Sequence, residues 1–108
     1  MSDAETAQPG QDEVRASLPP ASFAFLTISL RAQAEMQLGL VRFSEEDQAE
    51  PDLPLARHTI DLMGMLLEKT KGNLDLEEQR LLENSLTELR FRFVQVSEEV
   101  AKAASRKA

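Results

Sequence analysis

The sequence predicts an all-α protein of three helices, two shorter and one long and C-terminal, forming a helical bundle that is completed by homodimerisation. Three segments carry apolar residues at steps of three and four positions, the period of a helix with a buried face. No segment combines alternating apolar and polar residues with β-branched side chains, so the sequence predicts no strand. Residues that typically begin or end a helix flank each segment.

The first helix is predicted over residues 22–38. Ser22 suits the N-cap position, and Pro20 suits the approach to a first turn. Gly39 is expected to end the helix, with a continuation to Val41 as the alternative. One helically spaced apolar stripe comprises Phe23, Leu26, Leu30, Ala34 and Leu38. More than half of the girth of this helix is apolar. Its other faces carry Phe25, Ile28, Ala32 and Met36.

The second helix is predicted over residues 53–71. Asp52 suits the N-cap, Pro54 is tolerated in the first turn, and Gly72 is expected to end the helix. Two apolar stripes indicate that the helix is covered on two sides. They comprise Ala56, Ile60, Met63 and Leu67, and Leu55, Leu62 and Leu66. Gly64 costs about 1 kcal/mol against Ala in mid-helix, which predicts a close helix–helix approach there.

The third helix is predicted over residues 76–103. Asp75 and Glu78 form an aspartate variant of the capping box. An unbroken heptad seam follows. It comprises Leu82, Leu86, Leu89, Phe93, Val96 and Val100. At 1.5 Å per residue this helix is about 42 Å long, against about 26 Å and about 28 Å for the other two.

Neither shorter helix can cover the whole of the third, so we expect its uncovered end, which carries Phe93, Val96 and Val100, to require a partner. A homodimer in which the third helix extends across or beside its symmetry mate satisfies this requirement. The alternative is an early end of the third helix near Val96. The predicted interface residues are Met63, Met65, Leu66, Leu89, Phe93, Val96 and Val100.

The chain divides into one folded unit and two tails. Residues 1–19 are polar, acidic and without apolar periodicity, and are predicted to be a disordered tail. Residues 20–104 are predicted to be a single helical domain, and residues 105–108 a basic tail. Residues 42–52 are predicted to be an acidic, solvated linker. Calcium binding is the alternative there, but the segment lacks the glycine and the aspartate spacing of a calcium loop.

Composition excludes several classes of function. The chain has 108 residues, a net charge of −7, no cysteine and one histidine. Disulfides and Cys-ligated metals are impossible, and an acidic chain is a poor binder of nucleic acid or of an anionic membrane surface. We therefore expect no nucleic-acid partner, no membrane association and no cofactor. The polar, acidic start is not typical of a secretory signal, and the cytoplasm is the expected location.

Two residues of the second helix are candidates for a polar site. His58 and Asp61 are three positions apart, and such a pair could orient an imidazole for general base catalysis. Arg57 lies four positions before Asp61 and competes for its carboxylate. With no cysteine and no nucleophile motif, we expect no catalytic residue, no metal site and no enzyme.

The turn after the second helix is a weak candidate for an anion site. It precedes a helix N-terminus, which attracts anions, but it lacks the spacing of a phosphate-binding loop. The candidate residues are Lys69, Lys71, Gly72 and Asn73. A helix C-terminus explains the same residues without a ligand.

The third helix also interleaves basic and aromatic residues. Adjacent residues on a helix point about 100° apart, so this run makes no flat stacking platform for bases. It comprises Arg90, Phe91, Arg92 and Phe93. Arg92 is instead expected to pair with Glu88, one turn earlier.

The run EKTKGNL at residues 68–74 is the most specific part of a pattern over residues 51–94 that also includes His58 and Asp61. On that pattern, residues 51–94 resemble a bacterial family of small helical proteins known as domain of unknown function 1844. The resemblance implies a small, helical, bacterial protein and brings no activity, cofactor or catalytic residue. We expect His58 and Asp61 to form a polar network at the dimer interface.

The sequence therefore favours a non-enzymatic, cytoplasmic, homodimeric protein-interaction module whose protein partner is unknown. A module that binds an anionic ligand or a nucleotide at residues 69–73 is the first alternative. An enzyme that uses His58 and Asp61 is the second.

Overall fold

The computed structural model describes residues 17–41 and 50–107 and contains three α-helices in those ranges, with no strand. The helices are α1 (Phe23–Gln37), α2 (Leu53–Lys69) and α3 (Leu76–Lys107). The prediction of an all-α chain with three helices is confirmed. The predicted disordered tail lies outside the described residues as far as residue 16, and so does most of the predicted linker.

The first two helices begin at the predicted caps. The Ser22 hydroxyl oxygen accepts a hydrogen bond from the Phe25 N–H at 3.0 Å. The Asp52 carboxylate accepts one from the Leu55 N–H at 3.1 Å. Each bond satisfies one of the backbone donors that a helix leaves free at its N-terminus.

The third helix begins with the predicted capping box. The Asp75 carboxylate accepts from the Glu78 N–H at 2.8 Å, and the Glu78 carboxylate accepts from the Asp75 N–H at 2.9 Å. Two negative side chains thus lie at the positive end of the helix dipole and stabilise this helix start.

Glycine ends α1 as predicted. Gly39 has a φ of 75°, which side chains other than that of glycine rarely adopt. Its N–H donates to the Met36 carbonyl at 3.0 Å, and the Leu40 N–H donates to the Glu35 carbonyl at 2.9 Å. This pair of bonds is a Schellman motif. The alternative continuation of the helix beyond Gly39 is wrong, because the chain turns away there.

The other two helix ends differ modestly from the predicted ones. Thr70 closes α2, with its N–H and its hydroxyl both donating to the Leu66 carbonyl, at 3.0 and 2.8 Å. Gly72 follows with a φ of 85°. The third helix continues to Lys107, beyond its predicted end at residue 103, so the basic residues predicted as a tail extend this helix as far as Lys107.

The core lies between the three helices, each of which contacts the other two. α2 and α3 form a hairpin closed by the turn at residues 70–75, and α1 packs against both. The buried apolar core residues are Ala34, Leu38, Ala56, Ile60, Met63, Leu82, Leu86, Leu89 and Val96. Every buried side-chain nitrogen or oxygen in the described ranges has a hydrogen-bond partner, as buried polar groups require.

Hydrogen bonds place the end of α1 beside the start of α2. The Asp52 N–H donates to the Gln37 carbonyl at 2.7 Å. The buried Thr59 hydroxyl donates to the Gln37 side-chain oxygen at 2.6 Å. These contacts bring the two helix ends together and show which side of α2 faces α1.

A charged contact joins α1 to α3. The Arg31 guanidinium lies 2.5 Å from the Glu88 carboxylate and 3.5 Å from the hydroxyl of the buried Ser85. Glu35, one turn later, lies 3.6 Å from the same guanidinium. The structure therefore pairs Glu88 with Arg31, and the expected pairing with Arg92 is wrong. Arg31 is half-buried and Arg92 is exposed, and a charged group that is partly removed from water gains more from an opposite charge beside it.

Candidate functional site

The side of α1 that faces away from the bundle is apolar and exposed. Phe25, Ile28 and Met36 retain 43%, 52% and 46% of their accessible surface. Together with Ala32 they form one helical stripe, which we call the outer face of α1. The sequence showed that this helix is apolar over more than half of its girth, but not which apolar side remains uncovered.

Neighbouring contacts determine which side of α1 is exposed. Its inner side is packed on the core through the buried residues Thr27, Ala34 and Leu38. The two charged residues of the helix, Arg31 and Glu35, lie on the side toward α3, where they pair with each other and with Glu88. The outer face of α1 therefore carries no charge.

Exposed leucines on the flank of α1 and on α2 extend this apolar surface. Leu26 is exposed on α1, and Leu55 and Leu62 are exposed on α2. By helical spacing they lie on the sides of the two helices that carry Gln37 and Thr59, which join α1 to α2. Exposed apolar surface therefore continues from one helix to the next, and patches of this kind on soluble domains mark interaction sites.

The predicted interface residues divide between the core and the surface. Met63, Leu89 and Val96 are buried within the single chain, the last of them only 6% exposed, so they offer no surface to a partner. The half-buried residues are Leu66 and Phe93, and the exposed ones are Met65 and Val100. The seam of α3 is covered as far as Val96 because α2 and α1 pack along it. The predicted helix lengths alone indicate that the uncovered part of α3 begins earlier, at Phe93.

Beyond Val96, α3 extends past the bundle. Residues 98–106 are all exposed, and Val100, the last residue of the seam, retains 40% of its accessible surface. The uncovered end of α3 is therefore real but carries a single large apolar residue of the seam. The larger uncovered apolar surface is that of α1.

The predicted polar pair on α2 is not brought together. His58 and Asp61 are both exposed, and no hydrogen bond or ion pair joins them in the described part of the chain. The Asp61 carboxylate lies instead 3.9 Å from the Arg57 guanidinium, as the competing spacing predicted. Both side chains of that ion pair are about 70% exposed (73% and 70%), so its contribution to stability is small.

The turn at residues 70–75 borders a cavity of about 170 Å³. Lys71 and Gly72 line it, but so do the carboxylate-bearing residues Glu68 and Glu83. Asp75 also occupies the helix N-terminus that would attract an anion. An anion would meet negative charge on several sides, so the geometry does not favour the anion-site hypothesis for Lys69, Lys71, Gly72 and Asn73.

The sequence does not predict the groove between α2 and α3, although two of the candidate residues, Asp61 and Phe93, line it. Its volume is about 240 Å³, and its lining residues are Arg57, Ile60, Asp61, Arg90, Phe93 and Val94. If residue 64 had a Cβ atom, this atom would lie 3.1 Å from a guanidinium nitrogen of Arg90. The close approach at Gly64 is therefore that of the Arg90 side chain, and the close helix–helix approach predicted there is not found in the described ranges.

The described ranges contain neither a cluster of metal-ligating side chains nor a membrane-spanning helix. No group of three or more histidine, aspartate and glutamate side chains there could hold a metal ion. No helix in those ranges is long and apolar enough to cross a membrane.

The described structure is that of a small all-α protein. It consists of the α2–α3 hairpin with α1 packed against it, and the outer face of α1 is left as exposed apolar surface. The chain belongs to the family described as Domain of unknown function (DUF1844), whose model matches residues 20–95. The matched region includes all of α1 and α2 and ends in α3 just before Val96. No curated protein and no solved structure matches the chain.

Proposed function

We propose that this protein is a homodimeric protein-interaction module that acts by binding and not by catalysis, and that two copies associate through the outer face of α1. The observation that carries the proposal is the exposure of Phe25, Ile28 and Met36 on one side of a helix whose opposite side is already packed on the core. A helix that is apolar on opposite sides is normally covered on both.

The absence of charge on this face favours a second copy of the chain as its occupant. A protein of net charge −7 repels its own copies at a distance. Association is therefore easiest through a surface that adds no like-charge contact. Arg31 and Glu35 lie toward α3, so a contact between two outer faces brings no ionised group against another.

The order of large and small residues along the outer face suits an antiparallel pair of helices. Phe25 lies near the start and Met36 near the end, and between them Ile28 is followed by the small residues Ser29, on the edge of the face, and Ala32. In a two-fold arrangement Phe25 meets Met36 of the partner subunit, and the small residues allow close approach at the centre. Each protomer then contributes the same surface to the contact.

The area required for a stable dimer extends the interface onto α2. A stable interface buries about 800 Å² per partner. Burying one aromatic side chain supplies about 150–250 Å² at most, so the outer face of α1 is too small alone. The exposed leucines beside it, Leu26, Leu55 and Leu62, extend the apolar contact onto α2.

Sedimentation equilibrium of the full chain at tens of micromolar tests the proposal. We expect a dimer for the unaltered chain and a monomer for Ile28→Glu, because that substitution places a carboxylate in the apolar contact. Phe91→Glu is the matched control, since Phe91 is 62% exposed on the far side of α3. Circular dichroism checks that each variant remains helical.

A monomeric unaltered chain at this concentration would contradict the homodimer. A dimer that persists in Ile28→Glu but dissociates in Phe91→Glu would move the interface to α3.

The cytoplasm is the location we propose, because a chain without cysteine needs no oxidising compartment. Binding without catalysis is supported by the separation of His58 from Asp61, whose carboxylate pairs with Arg57 instead. His58 and Asp61 remain candidates for a polar network only if the interface reaches their side of α2.

A further inference from the structure

The groove between α2 and α3 has an apolar floor with a charged rim. Ile60 at its floor is buried, Phe93 is half-buried, and Val94 is exposed at the edge. The guanidinium groups of Arg57 and Arg90 border the same groove. A surface that combines apolar side chains with convergent charged donors is typical of a binding site.

The two arginines differ in whether a carboxylate lies beside them. Arg57 lies 3.9 Å from the Asp61 carboxylate, so that pair is nearly neutral. Within residues 17–41 and 50–107, no carboxylate lies within ion-pair distance of Arg90. Arg90 is exposed, as are Arg80 and Arg92 on the same helix, and it differs from them because it borders the apolar groove.

Gly64 provides the space in which this guanidinium lies. A side chain at that position would meet a guanidinium nitrogen of Arg90 at 3.1 Å, closer than most Cβ contacts. Glycine in mid-helix costs about 1 kcal/mol of helix stability. The cost is explained if the position of the Arg90 guanidinium over α2 serves binding.

We propose that this groove binds a segment of another protein in which a carboxylate lies next to a large apolar side chain. The apolar side chain packs on Ile60, Phe93 and Val94, and the carboxylate accepts hydrogen bonds from the Arg90 guanidinium. Charge complementarity supports this class of partner, because the planar guanidinium suits a carboxylate and is the free charge of the groove.

The groove is separate from the proposed dimer contact. On α2, Thr59 faces α1, whereas Asp61 and Gly64 lie on the side toward Arg90. Two copies joined through α1 would therefore leave both grooves accessible. The proposal does not rest on the dimer, and either can fail without the other.

The test is a titration of the ¹⁵N-labelled full chain with the peptide acetyl-Leu-Glu-Leu-Glu-Leu-amide, followed by two-dimensional NMR. The matched probe is the same peptide with glutamine in place of both glutamates. We expect the acidic peptide to shift the resonances of Arg57, Gly64, Arg90 and Val94 at millimolar concentration. The neutral peptide should do so much more weakly, although the net charge of the chain opposes the acidic one.

Two variants make the test specific to Arg90. Arg90→Gln should weaken binding about tenfold, the loss expected of one charge-assisted contact. Arg80→Gln, which removes an exposed arginine elsewhere on α3, should leave the affinity unchanged. Should Arg90→Gln lose helical circular dichroism, Gly64→Ala provides a second variant, because the new methyl group displaces the guanidinium and should also weaken binding.

Several results would overturn the proposal. Equal binding of the acidic and neutral peptides would show that the carboxylate does not contribute to recognition. No shift with either peptide, or shifts confined to α1, would exclude the groove as the site. Movement of the groove resonances on dilution of the protein alone would assign the groove to a second copy of the chain.

Discussion

Two regions of this protein carry similar apolar patterns but differ in how they are covered. α1 and the second half of α3 both repeat large apolar residues every three or four positions. In α3 the pattern is buried as far as Val96, whereas α1 leaves Phe25, Ile28 and Met36 exposed. A helical pattern shows that a face must be covered. Both helices have two neighbours, so whether the same chain covers a face depends on which sides of the helix those neighbours pack against.

The largest effect on stability is expected from a substitution on the seam of α3. Leu89→Ala removes a fully buried side chain, and we expect it to lower the free energy of unfolding by about 2–5 kcal/mol. Val100→Ala lies about three turns further along the same seam, where the side chain is uncovered, and should cost under about 0.5 kcal/mol. Urea denaturation at low micromolar concentration measures both. A large cost for Val100→Ala would show that a partner covers the end of α3.

The turn that positions α3 against α2 can be tested at its glycine. Gly72 has a φ of 85° with open space around it, so Gly72→Ala adds only backbone strain. We expect a loss of about 1–2 kcal/mol. Gly64→Ala is the control within a helix, and should raise stability by up to about 1 kcal/mol through helix propensity. Thermal unfolding compares the two, and an equal loss in both would refute the assignment of strain to Gly72.

The capping box of α3 should contribute more than the single cap of α1. Asp75→Ala removes the hydrogen bond that the Asp75 carboxylate accepts from the Glu78 N–H, together with a negative charge at the helix start, and should cost about 1 kcal/mol or slightly more. Ser22→Ala removes one bond and should cost less. If chemical denaturation ranks the two variants in the opposite order, α1 depends more on its cap than its packing indicates.

The smallest expected effect is on the outer face of α1. Met36→Ala should change the stability of the dilute monomer by under about 0.5 kcal/mol, because the side chain is exposed there. At tens of micromolar the unaltered chain should gain stability from association, and Met36→Ala should gain less. Unfolding measured at two protein concentrations separates these cases. A midpoint independent of concentration would argue against the dimer.

Local signals in the sequence predicted much of the fold. Ser22, Asp52 and Asp75 begin the helices, and Gly39 and Gly72 follow their ends, because capping and left-handed backbone depend on neighbouring residues alone. The end of α3 was misplaced because its last turns contain no stop signal.

The candidate sites depend on contacts between residues that are distant in the chain. The sequence contains one signal for the Arg31 contact, because Arg31 and Glu35 are the two charged residues in a helix that is otherwise apolar or neutral, but the spacing along α1 does not identify Glu88 as a partner. The groove beside Arg90 could not be inferred, because the spacing along α3 does not show which side chain crosses to Gly64.

The sequence by itself determined three helices, where they begin, and membership of a family without an assigned activity. Only the tertiary structure decided which apolar residues are core and which remain surface. It buried Val96, left the outer face of α1 uncovered and brought Arg90 over α2. The physical reason is that helix periodicity and caps are local, whereas burial and charge pairing depend on which helices pack together.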